Sequence, residues 1–415
     1  MIEKGALDGE GSVEALAARL GIGARHLRRL FDTHLGATPS DVARLRRVLF
    51  AKQLLDETSL PMVEIALSAG FGSQRRFNAC MQEVYGRPPS ALRRRPAARP
   101  SRRADASDPG KTARVGAALE LSLPYRPPFD WSALLAFFAR RTIAGVERVS
   151  DGTYQRTLRT AGGPGSICVR DEPEKRRLRV AVRLSSSAGL LELRGRLRQL
   201  FDLDADGTAI DAVVARAPML RDAVRARPGM RVPGACDGFE TAVRGILGQQ
   251  IQVEGATTLA GRIAEAFGEQ LPAHLRLDAS LGTLFPTPAR LADAELEPLG
   301  VIRTRAEAIR GLARAVASDP GLVEPGEGLE PDLLRWQALP GIGPWTAQLV
   351  AMRVLREPDA LPASDLGLRK AITPKGAAPR PAAEVEALLE VCRPYRAYAA
   401  MRLWSLERAS ATAVR

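Results

Sequence analysis

Apolar side chains follow two different spacings along the chain. Between residues 12 and 95 they recur every three or four positions, the spacing of one face of a helix. Between residues 120 and 182 they alternate with polar side chains, as in the run 177–182, which is typical of strands. From Pro228 onward the helical spacing returns. The pattern predicts a multidomain, mostly α protein with a small antiparallel α+β domain between two helical parts.

The first helical part contains the same arrangement of helices and glycine turns twice. A short amphipathic helix, a turn and a second helix are predicted around Gly21-Ile22-Gly23 and again around Gly70-Phe71-Gly72, with a longer helix at 40–55 between them. Each pair is a helix-turn-helix candidate whose second helix offers polar side chains to a major groove. The candidate DNA contacts are Arg25, Arg28, Arg29, Gln74, Arg75 and Arg76. Basic residues on a solvated helix face are the alternative interpretation.

A hairpin is predicted between two helices near the C-terminal end, at 331–338 and 345–355. Gly341 and Gly343 bracket a single Ile, and Pro344 suits the first turn of the second helix. Backbone N–H groups at such a turn can bind an anion, and a DNA phosphate is the natural one. We therefore take Gly341, Gly343 and Thr346 as candidate phosphate contacts, although an ordinary helix–helix turn would show similar residues.

Composition narrows the class of partner. The 415 residues suffice for two to four domains, and the net charge of +13 favours a polyanion such as nucleic acid, although an Arg-rich proteome would also give this charge. Cys80, Cys168, Cys236 and Cys392 are scattered without a CxxC pair, so neither a zinc site nor a disulfide framework is expected. We find neither a signal peptide nor an apolar run of membrane-spanning length. These features predict a cytoplasmic, nucleoid-associated protein that contacts no membrane.

The second helix-turn-helix candidate resembles the AraC family of regulators. The resemblance rests on the run 65–78, IALSAGFGSQRRFN, and on Tyr85-Gly86-Arg87-Pro88-Pro89-Ser90. In that family two such modules are joined by a long helix, which is the predicted layout here. Some relatives carry a four-cysteine zinc domain ahead of the module that accepts methyl groups, and this activity is not expected because no cysteine precedes Cys80.

The hairpin, together with Asp365 downstream, resembles the helix-hairpin-helix superfamily of DNA glycosylases. The likeness to the AlkA type of 3-methyladenine DNA glycosylase extends over about 120–410, including the runs 127–131, 243–251 and 393–404. This resemblance implies that Asp365 is catalytic and that Trp345, Tyr395 and Phe137 line a base pocket. It implies that Gln250, beside Gln249, fills the gap left by a flipped nucleotide. It also implies that K⁺ or Na⁺ can bind the backbone carbonyls of Gln337, Leu339 and Gly341.

These resemblances lead to one preferred function and two alternatives. The preferred function is a monofunctional glycosylase that excises alkylated, cationic bases from double-stranded DNA, with no required cofactor and no nucleotide cofactor. The alternatives are a transcription regulator whose C-terminal half only binds DNA, and a glycosylase–lyase for oxidised bases. Trp345 argues against the lyase because such enzymes place a lysine near that position. The predicted domains are a helix-turn-helix domain at 1–95, a basic linker at 96–117, an α+β domain at 118–222 and a glycosylase domain at 223–415.

Overall fold

The structure is a computed structural model that describes residue 2 and residues 6–7, 11–93, 118–374 and 376–412, of which 407–412 are described by their backbone alone. The predicted linker at 96–117 lies outside the described residues. None of the helices in the described ranges is both long and apolar enough to cross a membrane.

Six helices form the N-terminal module. Ser12 and Ser73 cap the first and fifth helices with their side chains, while Gly36 and Gly86 end the second and fifth in the left-handed conformation. The predicted repeat of two helix-turn-helix units is therefore confirmed in its layout. The helices are α1 (Val13–Arg19), α2 (Ala24–Leu35), α3 (Pro39–Glu57), α4 (Met62–Ser68), α5 (Gln74–Tyr85) and α6 (Pro89–Leu92).

A five-stranded antiparallel sheet with two helices follows. Its strand order is β1-β5-β4-β3-β2, and the alternating side chains place one apolar face in the core, where Ile167 of one strand lies opposite Val182 of the next. The elements are β1 (Leu119–Pro124), α7 (Trp131–Ala139), β2 (Glu147–Ser150), β3 (Thr153–Thr160), β4 (Gly163–Glu172), β5 (Arg177–Leu184) and α8 (Leu190–Leu200).

The N-terminal module packs directly on this sheet domain. Helix α3 covers the edge strand β1, because Gln53 Nε2 donates to Ser122 O over 2.6 Å and Ser122 N donates to Glu57 Oε2 over 3.0 Å. One apolar core continues from Phe50 in α3 to Leu191 in α8. The two modules therefore share packed apolar surface.

The remaining elements are mostly helical. The second helix of the hairpin, Pro344–Val350, continues as a π-helical turn over 351–355, so the predicted helix at 345–355 is α-helical only in its first half. The elements are α9 (Gly207–Val214), α10 (Arg221–Ala226), α11 (Gly238–Leu247), α12 (Val253–Phe267), β6 (Glu269–Gln270), β7 (Thr283–Leu284), α13 (Pro288–Leu291), α14 (Arg303–Ser318), α15 (Leu329–Gln337), α16 (Pro344–Val350), α17 (Leu366–Ala371), α18 (Ala382–Leu389) and α19 (Arg396–Thr412).

Candidate active site

The hairpin between α15 and α16 depends on one glycine. Gly341 has a φ of +79°, and a Cβ at this position would lie 2.5 Å from the Cβ of Ala308 in α14. Both backbone conformation and space therefore disfavour a larger residue at this position. Gly343 has a φ of −86°, and a Cβ there would meet no atom within 4 Å.

The two consecutive glutamines have different surroundings. Gln249 donates its amide Nε2 to the carbonyl of Gly341 and to the hydroxyl of Thr346, both over 2.9 Å. Gln250 is exposed and has a φ of +57°, a conformation that non-glycine residues rarely adopt. Gln249 therefore fixes the hairpin, while Gln250 is free to project from the surface, and the roles of both as a wedge stay predictions.

The Thr346 side chain takes part in the same internal contact. Its side chain is buried and accepts the hydrogen bond from Gln249, because the first turn of α16 packs against α11. The hydroxyl is thus turned away from solvent, but Thr346 lies in the first turn of α16 and lines the groove, so a phosphate contact through its backbone N–H stays a prediction.

Asp365 is held from both sides by indole groups. It caps α17 through Oδ1, which accepts from Leu368 N over 3.1 Å and from Trp404 Nε1 over 2.8 Å. Its Oδ2 accepts from Trp345 Nε1 over 2.9 Å. Both carboxylate oxygens are therefore oriented by N–H donors.

A pocket of about 290 Å³ opens beside this carboxylate. Phe137, Trp345 and Asp365 line it, as predicted for a base pocket, although they come from three separate parts of the chain. Trp345 and Asp365 also line an open groove that runs along the hairpin past Gln250. The other residues of the pocket lining are Arg140, Arg141, Arg244, Gly245, Gly248, Ile251, Val253, Ala256, Thr257, Leu349, Arg353, Gly367 and Trp404.

Tyr395 does not line this pocket, which corrects its prediction as a pocket wall. Its ring contacts Tyr398 edge-on with a centroid separation of 6.0 Å, ahead of the start of α19. Trp404, farther along α19 and closer to Asp365, provides the additional aromatic wall. Sequence reasoning included Trp404 in the C-terminal run but assigned it no role.

Guanidinium groups cover the ring of Phe137. The Cζ of Arg141 lies 3.8 Å from the ring centroid and that of Arg353 lies 4.9 Å from it. Both distances are within the range of cation–π attraction. Phe137 thus contributes to the pocket as the aromatic support of two arginines.

A buried ionic cluster joins the sheet to α11 below the pocket. Arg156 of β3 contacts Glu147 over 3.1 Å and Glu240 over 2.6 Å, while Arg244 contacts Glu147 over 2.8 Å and Glu240 over 3.2 Å. Burial alone would raise the pKa of Glu147, but Arg244 and Arg156 outweigh it and lower the value to about 2. Burial raises the pKa of Glu240 against the opposing effect of Arg156. No pattern in the sequence indicates this cluster.

Two carbonyls of the predicted cation site already accept hydrogen bonds. Leu339 O accepts from Ile342 N over 3.1 Å, and Gly341 O accepts from Gln249. Each carbonyl keeps a second lone pair, so these hydrogen bonds do not exclude a K⁺ or Na⁺ ion at Gln337, Leu339 and Gly341, and the ion stays a prediction. Among the described residues there is no cluster of three or more His, Cys, Asp or Glu side chains suited to a metal.

The candidate DNA contacts of the N-terminal module all lie at the surface. In α2, Arg28 forms a 2.6 Å ion pair with Glu14, and Arg29 contacts His26 over 3.0 Å. All six predicted contacts have exposed side chains, namely Arg25, Arg28, Arg29, Gln74, Arg75 and Arg76.

Three sequence profiles match successive parts of the chain. Residues 16–95 match a helix-turn-helix domain, 120–237 an AlkA N-terminal domain, and 243–394 the HhH-GPD superfamily base excision DNA repair protein. The matches follow the three groups of elements in the structure.

Individual proteins match nearly the whole chain or a large part of it. The chain is 38% identical over 406 residues to the "Probable bifunctional transcriptional activator/DNA repair enzyme AlkA" of Mycobacterium tuberculosis, covering 98% of this chain and 78% of the relative. It is 32% identical over 290 residues to DNA-3-methyladenine glycosylase 2 of Escherichia coli, covering 69% of this chain and 97% of that protein. The solved 3-methyladenine DNA-glycosylase from Archaeoglobus fulgidus superimposes with a TM-score of 0.60 at 22% identity, over 70% of this chain and 98% of that one, and shows the shared fold.

Proposed function

This chain belongs to the AlkA family of DNA glycosylases, and from that premise we propose that it excises alkylated bases from duplex DNA without cutting the strand. It has the form in which a helix-turn-helix module precedes the glycosylase. The substrate named for its Escherichia coli relative, 3-methyladenine, is the first candidate. It would act on chromosomal DNA in the cytoplasm.

The observation that carries this proposal is the fixed carboxylate of Asp365 at a base-sized pocket. Breaking the N-glycosidic bond leaves positive charge on the deoxyribose while the electron pair of the bond departs with the base. A carboxylate whose two oxygens are held by Trp345 and Trp404 can stabilise that charge without having to reorient. Water then bonds to C1′, and its proton passes to the carboxylate and on to solvent.

The aromatic walls suit the proposed substrate. An alkylated purine such as 3-methyladenine carries positive charge on its ring, and indole faces attract cations. Because that base departs as a neutral molecule, it needs no general acid. The three histidines, at 26, 34 and 274, lie outside the pocket lining.

The groove beside the pocket supports binding of the duplex. It carries the hairpin glycines and the exposed Gln250, which could fill the space of the flipped nucleotide. The N-terminal module would add contacts through the exposed side chains of α2 and α5. Whether it also directs transcription depends on a preferred DNA sequence.

A base-release assay tests the proposal against both alternatives. Duplex DNA carrying methylated purines is incubated with the protein, and free base and strand breaks are measured with and without alkali. We expect free methylpurine, with breaks only after alkali. Strand breaks without alkali would identify a lyase, and binding without any released base would leave only the DNA-binding alternative.

A further inference from the structure

The turns of the two helix-turn-helix units border the rest of the chain through equivalent glycines but meet different chemistry there. Gly21 and Gly70 both have a positive φ, of +66° and +77°. A Cβ on Gly70 would lie 3.3 Å from a methyl carbon of Leu191 in α8. A Cβ on Gly21 would instead lie 3.1 Å from the carboxylate carbon of Glu327, shortly before α15. An apolar side chain thus borders the second turn, and an anion borders the first.

A second glutamate binds the first unit. Nη2 of Arg19, the last residue of α1, lies 3.9 Å from Oε2 of Glu324 and donates to Pro325 O over 3.5 Å. We call residues 324–328 the acidic segment. Its two carboxylates therefore border the first unit at the end of α1 and at the turn that leads into α2.

The acidic segment is fixed to the first helix of the hairpin. Asp332 of α15 is buried and accepts from Gly326 N over 3.0 Å, and Arg335 of α15 donates to Glu324 O over 3.0 Å. A Cβ on Gly326 would collide with the Asp332 carboxylate, so glycine suits this close contact. The glycosylase part of the chain thus holds the two glutamates in place.

The N-terminal module is also held beside the acidic segment by a second attachment. The ion pair of Arg19 and Glu324 is weak by itself, since their side chains are 35% and 42% exposed. However, α3 docks on β1 through Gln53, and the apolar core continues from Phe50 to Leu191. This packing keeps the glutamates at a high effective concentration around the first unit.

The N-terminus of α2 is open to an anion, unlike that of α5. Gly23 precedes α2 and provides no side-chain cap, whereas Ser73 caps α5 by accepting from Arg76 N over 3.2 Å. Uncapped N–H groups at the start of a helix attract anions such as phosphate. Glu327 places a carboxylate beside the turn that precedes this end of α2.

The two units also differ in their own charges. Each has two acidic residues, but the first has four arginines, besides the two histidines of α2, and the second has two arginines. The acidic residues are Glu14, Asp32, Glu64 and Glu83, and the arginines are Arg19, Arg25, Arg28, Arg29, Arg75 and Arg76. The two glutamates of the acidic segment therefore offset the excess of positive charge that the first unit would otherwise offer to DNA.

We propose that the acidic segment competes with DNA phosphates for the first helix-turn-helix unit, so that the second unit alone binds DNA while this contact persists. In such units the N-terminal residues of the second helix enter the major groove between two phosphate backbones. Carboxylates beside the turn before α2 repel these phosphates and pair with the cations that would bind them. Helix α5 therefore contributes to DNA binding directly, and α2 only when the acidic segment is displaced or neutralised. This inference concerns the N-terminal module and does not depend on base excision.

A double-mutant cycle tests this competition. Affinity for an undamaged duplex of random sequence is measured at several salt concentrations. In wild type, Arg25→Ala combined with Arg29→Ala should weaken binding by less than about twofold. In the Glu324→Gln/Glu327→Gln protein, the same arginine pair should weaken binding by about fivefold or more, because the arginines then contact phosphates. Independent surface effects would give the same factor in both backgrounds.

Two other pairs of substitutions are matched controls. Arg75→Ala with Arg76→Ala in α5 should weaken binding by a similar factor in both backgrounds, because the second turn borders Leu191 and not a carboxylate. Glu265→Gln with Glu386→Gln removes two exposed charges from α12 and α18, and should leave the effect of the α2 arginines as small as in wild type. All exchanged side chains lie at the surface, and thermal unfolding checks that each variant is folded.

Three results would overturn the inference. They are an equal effect of the α2 arginine pair in the two backgrounds, the absence of any effect of the α5 pair, and the same increased effect in the Glu265→Gln/Glu386→Gln protein. Release of methylated bases by the same variants tests the proposed function separately. A protein that released no base but showed the expected cycle would refute the glycosylase function and support this inference.

Discussion

Trp345 donates its indole N–H to Oδ2 of Asp365 over 2.9 Å, so the wall of the pocket and the carboxylate beside it orient each other. Trp404 does the same for Oδ1. One ring can thus contact the base and fix the carboxylate at once. Substitutions at these positions therefore have to separate contact with the base from orientation of the carboxylate.

Asp365→Asn removes the negative charge and keeps the size of the side chain. Asparagine caps helices nearly as well as aspartate, so α17 should form. The amide NH₂ group would take the place of one carboxylate oxygen, so one of the two indole N–H groups would lose its acceptor. We expect the single-turnover rate on methylpurine DNA to fall by about 10²–10³, with DNA affinity retained or increased.

Thermal unfolding of the Asp365→Asn protein provides the control. A folded variant with nearly the wild-type rate would show that Asp365 is only the cap of α17. The assignment as the catalytic carboxylate would then be wrong.

Two substitutions of Trp345 separate stacking from positioning. Trp345→Phe keeps an aromatic face but loses the N–H donated to Asp365, which should cost about 0.5–1.5 kcal/mol in the single-turnover barrier. Trp345→Ala also loses the aromatic face, which should cost a further 1–3 kcal/mol or so in binding of the flipped base. Rates for both variants at saturating and limiting enzyme distinguish these effects, and wild-type values in Trp345→Ala would mean that the ring serves only packing.

The hairpin glycines offer a matched pair. Gly341→Ala forces a positive φ on alanine and brings its Cβ to 2.5 Å from that of Ala308, so it should lower the free energy of unfolding by roughly 1–3 kcal/mol and weaken DNA binding. Gly343→Ala has a suitable φ and open space, so its stability should stay within about 0.5 kcal/mol of wild type. Equal effects in urea denaturation would contradict the role of Gly341.

Local signals in the sequence were sufficient to predict the hairpin and its two helices. Two glycines, a proline and the flanking apolar periodicity act within a few residues, so helices α15 and α16 were predicted to within a few positions at most ends. The N-terminal repeat was predictable for the same reason, since Ser12 and Ser73 are caps with a local effect.

Contacts between distant parts of the chain could not be predicted in this way. Periodicity places Trp404 on a helix but does not show that its indole reaches Asp365, and it equally allowed Tyr395 to face the pocket. Arg156 and Glu240 each look like solvated charges until the fold brings them together. The docking of α3 on β1 through Gln53 and Glu57 likewise depends on tertiary packing.

The buried cluster predicts a dependence of stability on acid pH. Glu147 has a pKa of about 2 in the folded protein, below the value of about 4.3 expected when unfolded. Its contribution is therefore complete above the unfolded pKa and is lost as pH falls toward 2. Glu147→Gln should be destabilised at pH 7 by roughly 3–5 kcal/mol, since two arginines lose a partner, and its stability should fall less steeply below pH 4. Urea denaturation from pH 7 to pH 3 measures the free energy of unfolding at neutral pH and its decrease in acid. If the free energy of unfolding of Glu147→Gln decreased in acid as steeply as that of wild type, Glu147 would not be the cause of the acid dependence.

Gln250 and Gln249 should respond differently to how firmly the damaged base is paired. Because Gln250 is exposed with a φ of +57°, Gln250→Gly should relieve about 1 kcal/mol of backbone strain while removing the side chain that would fill the duplex. We expect Gln250→Gly and Gln250→Ala to slow excision of a damaged base in a stable base pair. They should slow it much less in a mismatch, where less pairing energy opposes flipping.

Gln249→Ala instead loses the hydrogen bonds to Gly341 and Thr346, so it should lower stability by about 1–3 kcal/mol and slow excision from both duplexes equally. Single-turnover rates on paired and mismatched duplexes measure this difference, and a Gln250 variant that slowed both substrates alike would rule out the wedge.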